Sequence, residues 1–320
     1  MKARVWIQRT APKEILALLE QKTEVLTGGD PEDLLGADAV MIGSIVTADG
    51  NFMDRAGPTL KAIVRPGIGL DNVDIPAATE RGILVVNTPD GPTESTAEHT
   101  VALLLALAKR IVTGDMSLRT KEVDRSELFG TQLRERVLGL IGFGRIGRRV
   151  AEICACGLKM KVLTYDPYVD HDAPVEWHVE MVNDLPALLQ RADIISLHTP
   201  LTSDTYHLMG ESEFKSMKRG AYLINASRGS VVDEQALVGA LESGHLGGAA
   251  LDVFDPEPPI PNNPLFRFHH VVLTPHIASY TDRAAQAMWE CAAAQLFQLL
   301  RGEQPTHLAN PAAWPGRIKT

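Results

Sequence analysis

Cysteine is scarce in this chain. There are three, Cys154, Cys156 and Cys291, and two of them stand two apart on an expected helix, on different faces. That spacing suits neither a zinc site nor a disulfide framework, so no metal is expected, and a reducing cytoplasm is the expected compartment. Long hydrophobic runs are also missing. The most apolar stretch, Val101–Ala108, is far too short to span a bilayer. The N-terminus, MKARVWIQRT, lacks a signal-peptide core. No basic run occurs and the formal charge is −9, which argues against nucleic acid and anionic membranes as partners. No segment is of low complexity, and GIG at 67–69 echoes a later glycine motif too faintly to count as a repeat.

The most informative stretch is VLGLIGFGRIGRRVAEICACGLKMKVLTYD, residues 137–166. An apolar run, Val137–Ile141, has the length of a buried parallel strand. Gly142, Gly144 and Gly147 follow in G-x-G-x-x-G spacing, then a helical stretch from Arg145 to about Cys156. A second apolar run, Lys161–Tyr165, ends at Asp166. Gly142 permits a tight turn out of the strand, Gly144 lets the backbone approach a pyrophosphate, and Gly147 lets the helix lie close to the strand. The N–H groups at the helix start face the phosphates, and Asp166 is placed to accept from ribose hydroxyls. A glycine motif alone is a weak signal, but here strand, glycines, helix, strand and acid arrive in order.

At 320 residues, two domains are expected. Residues 1–90 alternate short strands (Ala3–Ile7, Asp38–Ile42, Lys61–Val64, Ile83–Val86) with helices (Pro12–Gln21, Asn51–Ala56, Ile75–Arg81), the pattern of a small open α/β sheet. Thr93–Ile111 reads as one long helix, almost uniformly apolar after a polar start, and residues 109–136 read as polar and poorly periodic. The βα rhythm then continues through strands Asp193–Leu197, Ala221–Asn225, Gly248–Asp252 and Val271–Leu273. Helices are expected over Asp184–Gln190, Glu211–Met217, Asp233–Ser243 and Thr281–Leu300, and the proline-rich Pro256–Pro264 is loop.

In open α/β sheets, ligands bind outside the carboxyl ends of the strands. The second-domain strand ends deliver His198, Thr199 and Pro200, then Arg228, then Glu257 beyond Asp252, then His276. Reduction of a ketone needs a proton donor for the developing alkoxide, work for His276. A carboxylate such as Glu257 keeps the imidazole oriented and protonated near neutral pH. The Arg228 guanidinium can bind a carboxylate in bidentate fashion and polarise the adjacent carbonyl. The N–H groups of Gly67, Ile68 and Gly69 could form the other half of an anion cradle.

With these residues in view, the sequence resembles the D-isomer-specific 2-hydroxyacid dehydrogenase family. The segments that carry the resemblance are VRPGIGLDNVD (64–74), NTPDGPTESTAEHT (87–100), LGLIGFGRIGRRVA (138–151), HTPLTSDTYHL (198–208), LINASRGSVVDEQAL (223–237), ALDVFDPEPP (250–259) and LTPHIAS (273–279). The resemblance implies an α/β protein of two domains, each an open parallel sheet with flanking helices, the larger a dinucleotide-binding Rossmann domain, with the active site in the cleft. Residues 1–98 with 285–320 are expected to form the substrate domain and 99–284 the dinucleotide-binding domain. A homodimer is implied, with NAD or NADP as cofactor and a small 2-keto or 2-hydroxy acid as substrate. The family's catalytic residues fall on Arg228, Glu257 and His276. Its carboxylate site falls on Ile68 and Gly69, and its cofactor contacts on Arg145, Ile146, Asp166, Thr199, Pro200 and Asp252. Glu257 argues against a formate dehydrogenase, which carries Gln there. Asp166 should repel the 2′-phosphate of NADP, so NAD is expected. Within the family, 3-phosphoglycerate dehydrogenase is the nearest look-alike, through Arg65 and NASRG. Its second arginine is replaced here by Gly43 beside Ser44, and a chain ending at Thr320 leaves no room for a regulatory domain. The expected substrate is therefore unphosphorylated, with D-3-phosphoglycerate dehydrogenase as the alternative. An NAD-sensing corepressor-like binding protein is the alternative of another class.

Overall fold

Short, mostly apolar runs of two to five residues become parallel strands in two separate sheets. The computed structural model describes residues 2–8, 11–27, 31–121, 123–169 and 176–318. The chain divides into two units, Met1–Pro92 with Thr281–Thr320, and Thr93–Tyr280. These divisions fall at the starts of two helices, whereas 98/99 and 284/285, expected from the sequence, fall inside those helices, in the second turn of one and the first turn of the other.

The first unit contains β1 (Arg4–Ile7), α1 (Lys13–Lys22), β2 (Glu24–Thr27), β3 (Ala39–Met41), α2 (Gly50–Ala56), β4 (Ala62–Arg65), α3 (Ile75–Glu80) and β5 (Leu84–Asn87). The sheet order is β2-β1-β3-β4-β5, with every pair parallel. Side chains alternate across it. Val5, Ile7, Met41, Val64 and Val86 share one apolar cluster with α1, while Trp6, Val40, Ile63 and Val85 share another with α2. The edge strand β2 is not evident from the sequence, because EVLT is short and half polar and gains its order only by pairing with β1.

The second unit begins with α4 (Thr93–Ala108) and α5 (Ile111–Thr120). It continues with β6 (Val137–Ile141), α6 (Arg145–Glu152), β7 (Lys161–Tyr165), β8 (Glu180–Met181), α7 (Leu185–Arg191), β9 (Ile194–Leu197), α8 (Glu211–Ser216), β10 (Tyr222–Asn225), α9 (Glu234–Glu242), β11 (Gly248–Leu251) and β12 (Val271–Leu273). The strand order is β12-β11-β10-β9-β6-β7-β8, all parallel. The direction of winding reverses between β6 and β9, so the carboxyl ends of these two strands mark the crevice where ligands bind in such sheets. Leu138 and Leu140 face the cluster that includes α4 and α6, and Ile141 faces the one that includes α7, α8 and α9. Asp184 and Asp233 cap α7 and α9 by accepting from backbone N–H groups of their first turns. The last helix, α10 (Asp282–Leu300), returns to the first unit, where Trp289, Ala292, Ala293 and Leu296 join the α1 side of its core.

Two helices depart from expectation. The helix expected over Thr93–Ile111 ends at Ala108, because Arg110 takes a left-handed backbone, φ 56°. A new helix, α5, then occupies part of the stretch read as aperiodic. None of its residues is buried, so it lacks the inward apolar stripe that periodicity detects. The helix expected to reach Cys156 is α-helical only to Glu152 and widens into a π turn over Ile153–Gly157. Among the described residues, no helix is long and apolar enough to cross a membrane.

Candidate active site

The crevice side of the second unit is built from the turns that follow β6, β7, β9, β10, β11 and β12. After β6 the chain turns at Gly142, with φ +96°, and a Cβ there would lie 2.7 Å from the His198 carbonyl oxygen. A Cβ on Gly147 would fall well under 3.0 Å from the Gly142 oxygen, so α6 can lie this close to the turn only with glycine. Gly144 caps α6, and a Cβ on it would meet nothing within 4 Å. The space above Gly144 is thus open at the N-terminus of the helix that starts with Arg145 and Ile146. Asp166, just past β7, closes the turn from the other side. Its Oδ2 accepts from Phe143 N–H at 2.8 Å and its Oδ1 from Tyr168 N–H at 2.9 Å.

Beyond β9, His198 is partly enclosed, with Nε2 3.0 Å from Ser196 Oγ, and burial pushes its pKa down to about 4. The Oγ1 of Thr199 is buried with no partner among the described residues, and the Pro200 carbonyl accepts from Thr205 Oγ1 at 2.6 Å.

The turn after β10 is shaped by Asn225, which is buried. Its Oδ1 accepts from Ser227 N–H and Oγ, and its Nδ2 donates to the Arg228 carbonyl at 2.9 Å. This side-chain turn sets the backbone from which Arg228 extends. Sequence reasoning passes over Asn225 as a functional residue, although an Asn that ends a strand and stands before Ala-Ser is a turn signal. It also passes over Glu234 on α9. That carboxylate accepts from Asp255 N–H at 2.8 Å and Asn263 Nδ2 at 2.9 Å, and so ties down the proline-rich loop that carries Glu257.

Glu257 Oε1 and His276 Nδ1 are hydrogen-bonded to one another, each side chain 37% exposed. The pairing leaves Nε2 as the imidazole nitrogen that does not face Glu257. His276 itself has a left-handed backbone, φ 53°, and its N–H donates to the Asp252 carbonyl at 2.7 Å. The Asp252 side chain is fully buried. Its oxygens accept from Thr274 Oγ1 at 2.5 Å and from the N–H groups of Ile277 and Ala278, each at 2.9 Å. Burial pushes the Asp252 carboxyl up, but hydrogen bonds from His99, Thr274, Ile277 and Ala278 outweigh it and hold the pKa below the ordinary carboxylate range.

The expected substrate contacts of the first unit follow β4. Gly67, with φ +147°, exchanges backbone and hydroxyl hydrogen bonds with the buried Thr88. The Ile68 carbonyl accepts from Asn87 Nδ2 at 2.7 Å, and Gly69 continues the turn. The Arg65 guanidinium folds back over this turn and donates to the Pro66 carbonyl.

Comparison with known proteins places the chain among relatives of one family. Residues 101–278 match the family described as D-isomer specific 2-hydroxyacid dehydrogenase, NAD binding domain. A glyoxylate reductase of Thermofilum pendens is 42% identical over 96% of this chain and 94% of its own length. A D-3-phosphoglycerate dehydrogenase of Archaeoglobus fulgidus is 43% identical over 82% of this chain, which spans 50% of that relative's length. The solved structure of the TT0316 protein from Thermus thermophilus superposes with a TM-score of 0.88 at 39% identity, covering 96% of this chain and 99% of that one.

Proposed function

Given that the chain belongs to the D-isomer specific 2-hydroxyacid dehydrogenase family and is an NAD-dependent enzyme interconverting D-2-hydroxy acids and 2-keto acids, we propose that its substrate is a small unphosphorylated acid such as glyoxylate or hydroxypyruvate. The observation that carries this is Arg65. Its guanidinium is folded onto its own turn, donating to the Pro66 carbonyl. The backbone of Gly43, where a second cation would stand, is bonded to Gln8 and Asn72. A phosphate needs cationic partners to leave water; these two positions offer one guanidinium, partly engaged by its own turn, and no second cation.

The residues present fit a dinucleotide. Gly144 leaves open the space that a pyrophosphate needs, the first turn of α6 at Arg145 and Ile146 supplies N–H groups, and Thr199 Oγ1 is a buried group awaiting a partner. Gly142 and Gly147 hold this cradle, Asp166 would face the ribose and Pro200 would add a contact, whereas the Asp252 carboxylate, fully buried among its own donors, would serve the site by holding the segment around His276 rather than by touching the cofactor. The chemistry NAD(H) supplies when bound is hydride transfer at the substrate carbonyl carbon. His276 gives the proton to the carbonyl oxygen from Nε2, since Nδ1 is held by Glu257. Glu257 keeps the ring oriented. Arg228 binds the substrate carboxylate and draws density from the carbonyl.

The exposed apolar residues of α5, Ile111, Val112, Met116 and Leu118, together with Val123 and Phe129, support a homodimer that covers them. Leu118→Asp with Met116→Asp should then halve the mass measured by light scattering. Three unpaired thiols fit a cytoplasmic enzyme.

The substrate test is competition of hydroxypyruvate against 3-phosphohydroxypyruvate with NADH. A higher kcat/KM for the unphosphorylated acid is expected. An advantage for the phosphorylated compound that Arg65→Ala abolishes would instead make the protein a phosphoglycerate dehydrogenase.

A further inference from the structure

We propose that His99, with Ser95 one turn before it on α4, is a positioning residue for His276: the helix holds both ends of the segment 274–278 that presents the imidazole. This rests on the reading of His276 as proton donor. At one end, Ser95 Oγ donates to the Ala278 carbonyl at 2.8 Å, in a buried contact. At the other, His99 Nε2 lies 3.1 Å from Thr274 Oγ1 and 3.3 Å from Asp252 Oδ1. Residues four apart on a helix share a face, so one side of α4 meets both ends of the segment.

The proton inventory orients the contact. Thr274 Oγ1 spends its hydrogen on Asp252 at 2.5 Å. Its remaining capacity is as an acceptor, so His99 Nε2 carries the hydrogen that points toward Thr274 and Asp252. Asp252 is fully buried, and a buried carboxylate stays in place only while its donors surround it. The same residue's carbonyl receives the His276 N–H at 2.7 Å. His276 therefore stands on a backbone conformation, φ 53°, that a non-glycine residue keeps only where its surroundings enforce it. Those surroundings are Asp252, Thr274 and, through them, His99. No substrate group need touch His99 for its loss to misplace the ring.

The test compares His99→Leu, which keeps bulk and removes the donor, with His99→Gln, whose amide nitrogen can reach the Nε2 position. His99→Leu should lower kcat roughly 10–100-fold, the scale of a misplaced catalytic group, with the KM for keto acid and the Kd for NADH changed less than about threefold. It should also shift or broaden the His276 imidazole resonance of ¹⁵N-histidine-labelled protein without ligands. His99→Gln should restore both. A kcat for His99→Leu within about twofold of the parent, or a loss that His99→Gln leaves unrepaired while both variants melt like the parent, overturns the proposal. If His99→Leu does not fold, Thr274→Val takes its place. It should lower kcat similarly, and normal turnover overturns the proposal again. His276→Ala separates the two levels. Turnover that survives His276→Ala refutes the active-site reading itself, whereas an inactive His276→Ala beside a normal His99→Leu refutes only the positioning.

Discussion

Gly229 and the Phe254 carbonyl are in direct contact: a Cβ on Gly229 would fall well under 3.0 Å from that oxygen. This contact brings the turn that carries Arg228 against the loop that leads to Glu257. Two of the three proposed catalytic side chains are thus placed by one approach of backbone to backbone.

Gly229→Ala should therefore damage the enzyme more than the size of a methyl group suggests. Backbone has to move to admit it, at a cost of about 1–3 kcal/mol or more, with a lower Tm and lower kcat. Gly239→Ala is the control. Gly239 lies inside α9 with nothing within 4 Å of the added carbon, so alanine there should be neutral or stabilise by up to about 1 kcal/mol. Thermal melts of the two variants side by side check the contrast.

His276→Ala should lower kcat by roughly 10²–10⁴-fold, the usual worth of a positioned acid. Its Tm and its affinity for NADH should stay close to those of the parent. Arg228→Lys should raise KM and lower kcat together, since an ammonium cannot supply the planar fork. Steady-state kinetics with glyoxylate or hydroxypyruvate measure both, and near-normal turnover by His276→Ala would remove it from the proton-donor role.

Asp166 makes NAD the expected preference over NADP, because a 2′-phosphate with about −1.5 to −2 charges would face its carboxylate. Asp166→Ala should narrow the ratio of kcat/KM for NADH over NADPH. The same carboxylate holds Phe143 N–H at 2.8 Å and Tyr168 N–H at 2.9 Å, so the narrowing should come with weaker binding of NADH itself. Equal efficiency with the two cofactors in the parent would contradict this role.

His198 should make the protein sensitive to mild acid. Burial takes its pKa from 6.5 to about 4. Above pH 6.5 both folded and unfolded chains hold it neutral. Between 6.5 and about 4 the unfolded chain takes up a proton that the folded chain refuses, so stability falls as pH falls. The loss amounts to at most about 3.5 kcal/mol. His198→Asn should show a shallower drop of Tm between pH 7 and pH 4.5, relative to its own value at pH 7. Parallel curves for variant and parent would refute the assignment.

Most strands of both sheets are legible in the sequence because parallel strands are short, mostly apolar and bounded by turns. Gly142, Gly144, Gly147 and Asp166 are legible because a nucleotide turn constrains neighbouring residues along the chain. Arg228, Glu257 and His276 can be selected because each stands just past a predicted strand, and in a parallel sheet all such ends lie on one edge. The edge strands Glu24–Thr27 and Glu180–Met181 and the helix Ile111–Thr120 leave little signal. Their order comes from pairing and packing with residues far along the chain, or is displayed on an exposed surface where no apolar stripe is required.

Local patterning thus determined the type of fold, the nucleotide turn and the candidate chemistry. Tertiary structure decided what holds that chemistry in place. Only the folded chain brings Glu257 to His276, Gly229 to Phe254, Glu234 to the proline-rich loop, and Ser95 and His99 to the two ends of 274–278. Ser95 and Ala278 are 183 positions apart, and His99 and Thr274 are 175 apart. Contacts at such separations depend on strand order, and strand order is settled by how helices pack on a sheet, which no local run of residues encodes.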